Sequence, residues 1–402
     1  MRPIYLDNNA TTRMDPEVLA AMVPYFTEQF GNASSTHSFG TEVGSALKQA
    51  RQHLQTLLGA AFDYEIIFTS GGTESDNSAI LSALETQTGR DEIITTVVEH
   101  QAILALVDHL EKTRGTKVHY IRVDGSGRLD LEAYERALGP RTAVVSVMWA
   151  NNETGTVFPV EQLAKLAHSA GALFHTDAVQ AVGKTPINLK TTEIDMLSLS
   201  GHKLHGPKGI GALYVRKGIK YKPLIRGGHQ ERGRRGGTEN APAIIGLGKA
   251  AELAATHLET EQEQTRVGAL RDHIERGLVQ RIGHCFVNGD EQNRLPNTSN
   301  IAFEYIDGEA ILSHMNREGI AASSGSACTS GSTEPSHVLR AMDVPPTALH
   351  GAIRLSLSRE TTTEDADRVL EILPGIIARL RAMSPIWQER ESDGELRASN
   401  VA

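Results

Sequence analysis

One lysine of this sequence follows directly after an apolar run. The run and the turn after it read IDMLSLS-GHK-LHGPKG, which places Ser200, His202 and Lys203 where a buried strand should end. A residue at the carboxyl end of a strand in an α/β sheet faces the crevice in which such folds bind ligands. A lone loop lysine is usually only exposed to solvent. Partly desolvated and near other cations, this one could form a Schiff base with a carbonyl cofactor.

A second junction could bind phosphate. FTS-GGTESDN predicts a strand, a glycine turn and a helix start, with Thr73 at or near the N-cap and Glu74 in the first turn. Free N–H groups and a hydroxyl there suit an anion, although an ordinary capped helix explains the motif equally well. A nucleotide loop is not indicated, because G-x-G-x-x-G is absent and the only GKT has Ala178 in place of the leading glycine.

Two further strand ends carry polar side chains. HTDAVQ places Asp177 and Gln180 after one strand, and His100 ends EIITTVVEH. The carboxylate could pair with a protonated ring nitrogen, and the amide could hydrogen-bond a ring oxygen. Asp177 as a helix cap and His100 as a structural histidine are the competing interpretations. Their common position at one sheet edge favours a binding site.

Cys328 and Arg354 come from the last third of the chain. Cys328 lies in GIAASSGSACTSGSTEPSH, a loop of small and polar residues that suits a thiol delivered to a site and then to an acceptor. We expect the other cysteine, Cys285, to be buried and inert. Arg354, in the apolar run AIRLSLS, could grip a carboxylate in a bidentate fork or pair with an acidic neighbour on an edge strand.

A basic, glycine-rich segment, RGGHQERGRRGGTEN, spans residues 226–240. Taken alone it resembles an RNA-binding tract. It has no interleaved aromatic residues and belongs to an acidic chain, so a loop that reaches a phosphate, in a neighbouring subunit, fits it better.

These residues require a sheet with helices on both faces. Apolar runs at 65–70, 92–98, 118–123, 143–149, 172–179, 194–200 and 209–215 alternate with helical patterns, which predicts a largely parallel, doubly covered sheet. A long helical pattern, roughly 241–275, should connect it to a smaller α+β unit. That unit comprises CFVNG, TSNIAFEY, a helix over 308–318, AIRLSLS and a helix over 363–381.

Composition restricts the class of protein. The chain has 402 residues and 40 Lys and Arg against 49 Asp and Glu, a net charge of -9 without a basic field for nucleic acid or anionic lipid. The longest apolar stretch, 143–150, is too short for a membrane span. Two cysteines exclude a disulfide framework. We therefore expect a cytoplasmic protein that binds neither nucleic acid nor membrane.

Together, SGHKLHGP, HTDAVQAVGK, RGGHQERGRRGGTEN and SSGSACTSG resemble the pyridoxal-phosphate-dependent cysteine desulfurases, most closely the nitrogen-fixation type, over residues 5–387. The resemblance implies a fold type I architecture: a large domain (15–258) with a mainly parallel seven-stranded sheet, a small α+β domain (1–14 and 259–387), and a polar tail (388–402). It also implies a homodimer. Selenocysteine lyases and aminotransferases of the same fold remain alternatives that would not need Cys328, and a carrier protein without catalysis is a third.

The resemblance also implies roles for single residues. Lys203 would carry pyridoxal 5'-phosphate and move protons, His100 would stack on the ring, Asp177 would hold the ring nitrogen, and Gln180 the ring hydroxyl. The remaining cofactor and substrate contacts would come from Gly72, Thr73, Ser200 and His202 (phosphate), Thr238 (the partner's phosphate), Asn152 (cofactor and substrate carboxylate) and Arg354 (substrate carboxylate).

Cys328 would be the nucleophile that takes sulfur from L-cysteine as a persulfide, leaving L-alanine. The implied acceptor is an iron-sulfur scaffold protein, nitrogenase-related or general, with which Cys328 could transiently ligate a shared cluster. The segment MSPIW, residues 383–387, resembles the stretch that related enzymes use to contact such scaffolds.

Overall fold

The computed structural model describes residues 2–260, 262–324 and 334–390 of the chain. Its strands are β1 (Ile4–Tyr5), β2 (Ile66–Thr69), β3 (Glu92–Thr96), β4 (Lys117–Ile121), β5 (Thr142–Ser146), β6 (Leu173–Asp177), β7 (Met196–Ser200), β8 (Gly211–Val215), β9 (Cys285–Val287), β10 (Thr298–Phe303), β11 (Ile320–Ala321) and β12 (Ala352–Ser356).

The described part of the chain also forms α-helices. They are α1 (Pro16–Met22), α2 (Pro24–Thr27), α3 (Ser38–Leu57), α4 (Gly72–Thr86), α5 (Gln101–Arg114), α6 (Leu131–Ala137), α7 (Val160–Ser169), α8 (Ala241–Glu259), α9 (Gln262–Arg281), α10 (Gly308–Arg317), α11 (His337–Ala341), α12 (Pro346–Leu349) and α13 (Thr363–Met383). No helix there is both long and apolar enough to cross a lipid bilayer.

The central sheet has seven strands in the order β2-β8-β7-β6-β5-β3-β4. β8 runs antiparallel to both of its neighbours, and the other pairs are parallel. Since β2 and β7 both oppose β8, they run in the same direction. The carboxyl ends of β2, β3, β5, β6 and β7 therefore meet at one edge, and the expectation of a mainly parallel seven-stranded sheet is confirmed.

Alternate residues of each strand enter different apolar clusters on the two faces of this sheet. In β2, Ile66 and Phe68 belong to one cluster, whereas Ile67 belongs to the other. A strand covered on both faces needs a nearly continuous apolar run, which is why these segments could be recognised in the sequence. β4, at the edge of the sheet, is the exception and leaves polar residues exposed.

A separate apolar cluster joins the two ends of the chain. Ile4 and Leu6 pack there with residues of α9, β10, α10, β12 and α13. β1 pairs in parallel with β11, while β12, β10 and β9 form an antiparallel three-stranded sheet. The division into domains at residues 14 and 258 stays a proposal, which this separate cluster supports. Residues 391–402 of the polar tail lie outside the described residues.

The single long helix expected over 241–275 is two helices. α8 ends at Glu259, and α9 begins at Gln262. Thr260, which caps α8, leaves the helical conformation, and its hydroxyl bonds the carbonyl of His257.

Candidate active site

The predicted site residues gather in one cavity of about 230 Å³ at the carboxyl edge of the central sheet. Its lining includes the predicted residues Gly72, Thr73, His100, Asn152, Asp177, Gln180, Ser200, His202, Lys203 and Arg354. The parallel strands cause this convergence, because each delivers the residues that follow it to the same edge.

Two predicted residues are not part of this lining. Thr238 is exposed on the loop before α8 and does not line the cavity of its own chain. Cys328 lies outside the described residues, and with it the predicted thiol loop and any shared cluster ligand. Among the residues that the structure does describe, no group of three or more His, Cys, Asp or Glu side chains could hold a metal ion.

Lys203 ends the short 3-10 turn Gly201–Lys203 that follows β7. Its Nζ donates hydrogen bonds to the backbone carbonyls of Asn9, at 2.5 Å, and Ala10, at 2.6 Å. The turn is tight enough to require glycine, since a Cβ on Gly201 would lie 2.9 Å from the carbonyl oxygen of Pro207. The amine is thereby held inside the cavity by the N-terminal segment.

Two carboxyl groups are buried in the cavity wall. Asp177 is 6% exposed, accepts a hydrogen bond from the N–H of Val179, and has its pKa raised by burial despite the opposing charges of His100 and Lys203. Asp76 of α4 is 1% exposed, and its Oδ1 has no hydrogen-bond partner in the described residues. Burial and the Asp177 carboxylate raise the pKa of Asp76 well above its usual range. The pair suits a cationic N–H group bound between them.

The N-terminus of α4 also lines the cavity. No side chain caps this 15-residue helix, so its first N–H groups and the partial positive charge of its N-terminus are available for an anion. A Cβ on Gly72 would lie 2.9 Å from Cγ2 of Val179, which explains the glycine. Thr73 is in the first turn and Ser200 faces Gly72, as a phosphate site requires.

The histidines of the cavity lie in different environments. His100 is the N-cap of α5, and its Nδ1 accepts a hydrogen bond from the N–H of Ala102 at 3.1 Å. The ring proton of a neutral His100 is therefore on Nε2. Burial and the nearby Lys203 lower the pKa of His202 to about 4, which keeps that ring neutral near pH 7.

Arg354 brings a charge from the small sheet into the cavity. It is 1% exposed, and its guanidinium donates to the carbonyl of Asn152 at 2.9 Å and to Oδ1 of Asp7 at 2.8 Å. β12 is the outer strand of its three-stranded sheet, but Arg354 also forms an antiparallel bridge with Ser323 on that outer side, so it does not lie on a free edge. The arginine thus pairs with an acidic neighbour and still lines the cavity.

Sequence reasoning missed Asn9, Ala10 and Asp76 as site residues. The polar run DNNATT lies far from the other motifs in sequence. The pairing of β1 with β11, together with backbone contacts to Ser356 and His202, brings it to Lys203. Asp76 follows Gly72 by four residues, so the helical period could have placed both on one face of α4. Cys285, expected to be buried, is half-buried, and its thiol donates to the carbonyl of Ile282.

The sequence model of the class-V aminotransferases matches residues 4–369 of this chain. A cysteine desulfurase from Gluconacetobacter diazotrophicus is 72% identical over 387 residues, which cover 96% of each protein. The cysteine desulfurase NifS of Azotobacter vinelandii is 64% identical over 387 residues, again 96% of each.

Solved structures show the same fold. A NifS-like protein superposes with a TM-score of 0.87 at 38% identity, over 94% of this chain and all of the other. A second NifS-like protein, from Rickettsia africae, gives a TM-score of 0.83 at 31% identity over 93% of this chain and 99% of the other.

Proposed function

This chain belongs to the class-V aminotransferase family and, within it, to the cysteine desulfurases, and we propose that it takes sulfur from L-cysteine with Lys203-bound pyridoxal 5'-phosphate, leaving L-alanine and a persulfide on Cys328. The observation that carries the proposal is the single cavity in which the Lys203 amine, the buried Asp177 carboxyl and the uncapped N-terminus of α4 meet.

The residues of the cavity fit this cofactor. The unpartnered oxygen of Asp76 and the carboxyl of Asp177 suit a protonated ring nitrogen, and the start of α4 suits a phosphate. When bound, the cofactor supplies an electron sink for the bonding electrons of the substrate's α carbon. Gly72, Thr73, Ser200 and His202 would hold the phosphate, and Gln180 the ring hydroxyl.

Each remaining residue orients the substrate or moves a proton. Arg354 would bind the carboxylate of L-cysteine beside Asn152, with the guanidinium already turned toward that carbonyl. His100 would lie against the ring. Lys203, once its amine is released by the substrate, would take the proton from the α carbon and return it to the cofactor's C4' carbon.

Sulfur transfer is a displacement at the substrate's sulfur. The Cys328 thiolate forms an S–S bond with that sulfur while the bond between sulfur and the β carbon breaks. The electron pair of the broken bond stays with the β carbon, which then takes up a proton and becomes the methyl group of L-alanine. The net change is L-cysteine and a thiol to L-alanine and a persulfide, so no outside oxidant or reductant is needed.

Replacement of Cys328 by alanine tests the nucleophile. Cys328→Ala should keep the visible absorbance of the bound cofactor and lose release of sulfide from L-cysteine in the presence of a reducing thiol. Cys285→Ala is the matched control, because its half-buried thiol lies in β9. Undiminished sulfide and alanine production by Cys328→Ala would refute the persulfide, and alanine production from pyruvate instead would indicate transamination.

The partners and the compartment belong to the same proposal. A homodimer would bring the exposed Thr238 to the partner's phosphate. The persulfide would pass to an iron-sulfur scaffold protein, nitrogenase-related as the relative named NifS suggests, in the reducing cytoplasm that a free thiol requires. Met383 and Ile386 of the MSPIW segment are 66% and 61% exposed, as a docking site requires. Transfer of labelled sulfur from the enzyme to a purified scaffold tests the acceptor.

A further inference from the structure

A second lysine lies behind the catalytic one. Lys184 follows Gln180 by four residues in a run of turns, and its Nζ donates to Oε1 of Gln180 at 2.8 Å and to Oδ1 of Asn9 at 3.4 Å. No carboxylate forms an ion pair with Lys184 among the described residues. Lys184 is partly withdrawn from solvent, and an ammonium there without a counter-ion loses hydration that no carboxylate replaces, so the position indicates a function for this amine.

The contact determines which end of the Gln180 amide faces Lys184. A protonated lysine side chain has only donors, so the amide must turn its oxygen toward it. Nε2 is then the end that donates to the carbonyl of Asn9, at 3.0 Å. Its second N–H has no acceptor in the described part of the chain, and Gln180, which is 5% exposed, lines the cofactor cavity.

We propose that Lys184 is a positioning residue that holds the Gln180 amide with its N–H, not its carbonyl, toward the ring hydroxyl oxygen of the cofactor. The inference rests on the proposed function, since that oxygen belongs to pyridoxal 5'-phosphate. A flipped amide would place one acceptor oxygen against another, which is repulsive when the ring oxygen is ionised. The N–H, held in this orientation by Lys184, stabilises the ionised oxygen.

The surroundings of Lys184 make it responsive to charge. Burial and the cations Lys203 and Arg354 lower the pKa of Lys184 to about 7. A second cavity, of about 90 Å³, lies behind the side chain and is lined also by His205, His257 and Arg359. An ionised ring oxygen of the cofactor, bound next to Gln180, would favour the protonated form of the Lys184 amine. The second cavity leaves room for a longer cationic side chain, such as arginine, at position 184.

The test is a pH titration of the visible absorbance of the cofactor-loaded enzyme. Lys184→Met removes the donor and the charge at similar length, and we expect it to raise the apparent pKa of the bound cofactor by about one unit and to weaken cofactor binding about tenfold. Lys184→Arg should retain the wild-type titration. Lys190→Met removes an exposed lysine nearby and should change nothing. An unchanged titration in folded Lys184→Met would overturn the proposal.

A double-mutant cycle separates orientation of the amide from a direct effect of charge. In the Gln180→Met background, Lys184→Met should shift the titration little further, because the amide that it positions is gone. An equally large further shift would show that the charge acts directly and would overturn the proposal. Absence of cofactor absorbance in the wild type would instead refute the proposed function itself. Thermal unfolding followed by circular dichroism establishes that each variant is folded.

Discussion

Burial can neutralise a side chain that is usually charged, as Glu99 shows. Its side chain is fully buried, both oxygens accept from the N–H of Met148, and the hydroxyl of Thr96 donates to one of them. Burial, opposed by these hydrogen bonds, raises the pKa of Glu99 to about 8. The carboxyl is therefore protonated in the folded protein near pH 7.

The free energy of unfolding should therefore depend on pH. Between the unfolded pKa, about 4.3, and about 8, folding of the wild type takes up a proton at Glu99, so its free energy of unfolding falls as pH rises, by up to about 1.4 kcal/mol per pH unit. Glu99→Gln is neutral throughout. We expect its stability relative to the wild type to grow from pH 5 to pH 8 in urea unfolding of the cofactor-free protein.

The exposed helix residue Glu135 provides the control for this measurement. Glu135→Gln removes the same charge from α6 and should give a curve parallel to that of the wild type. If Glu99→Gln also runs parallel, the Glu99 carboxyl is ionised when folded. The sequence offered no sign of this residue's state, because a glutamate is expected to be exposed unless tertiary contacts bury it.

Residues 226–240, the basic segment before α8, are held by contacts with α3 and β2. Arg51 of α3 donates through both guanidinium nitrogens to the carboxylate of Glu231, at 2.8 and 2.6 Å, and lies over the ring of Phe68. The N–H of Phe68 donates to the same carboxylate. The basic segment 226–240, predicted as a phosphate loop, is thus fastened to α3 and β2 through Glu231, one of its two acidic residues.

Breaking the buried pair of Arg51 and Glu231 should destabilise the folded protein strongly. Arg51→Met leaves the Glu231 carboxylate buried without a cation, and we expect a loss of about 3–5 kcal/mol in the free energy of unfolding. Arg51→Met with Glu231→Gln should recover part of it, since the amide oxygen can still accept from Phe68. Arg136 forms an exposed ion pair with Glu132, and its replacement, Arg136→Met, should lower the free energy of unfolding by under about 1 kcal/mol. A similar loss in both single variants would contradict the argument.

The positions of strands could be predicted where burial on both faces imposes an apolar run. The direction of each strand in the sheet could not. All the runs that should form the central sheet do so, yet nothing in GIGALYV indicates that β8 alone runs antiparallel. β1 and β11 are two residues each, too short for any periodicity. α8 ends where the backbone of Thr260 leaves the helical conformation, and the apolar pattern of the sequence does not contain this break.

At the scale of the whole molecule, the proposed dimer makes a specific prediction about Thr238. This residue is exposed and does not line its own chain's cavity, so Thr238→Val should weaken cofactor binding only through the partner's site. Mixed dimers of Lys203→Ala chains with Thr238→Val chains should contain one site with wild-type affinity. Dimers of wild-type chains with Lys203→Ala/Thr238→Val chains carry the same substitutions and should have only a weakened site.

Equal cofactor affinity in the two mixed dimers would show that Thr238 does not cross between subunits. Absorbance titration with the cofactor, after separation of the mixed dimers by distinct affinity tags, gives the comparison. The positions of Lys203, Asp177 and Thr73 were predictable because each lies at or just after the carboxyl end of a strand. The contributions of Asn9 and Ala10 were not predictable, because they depend on how the N-terminal segment packs against distant parts of the chain.

The pairing of the N-terminal segment with β11 also determines when the site can form. β1 pairs with β11, whose residues are made about 300 positions later, and the carbonyls that hold Lys203 lie just after β1. At a synthesis rate of about 5–20 residues per second, the first residues wait on the order of 15–60 s for their partners. The last strand of the large sheet, β8, ends at Val215 and is therefore made before β11. The cavity is therefore finished last, and cofactor loading becomes an event at the end of synthesis.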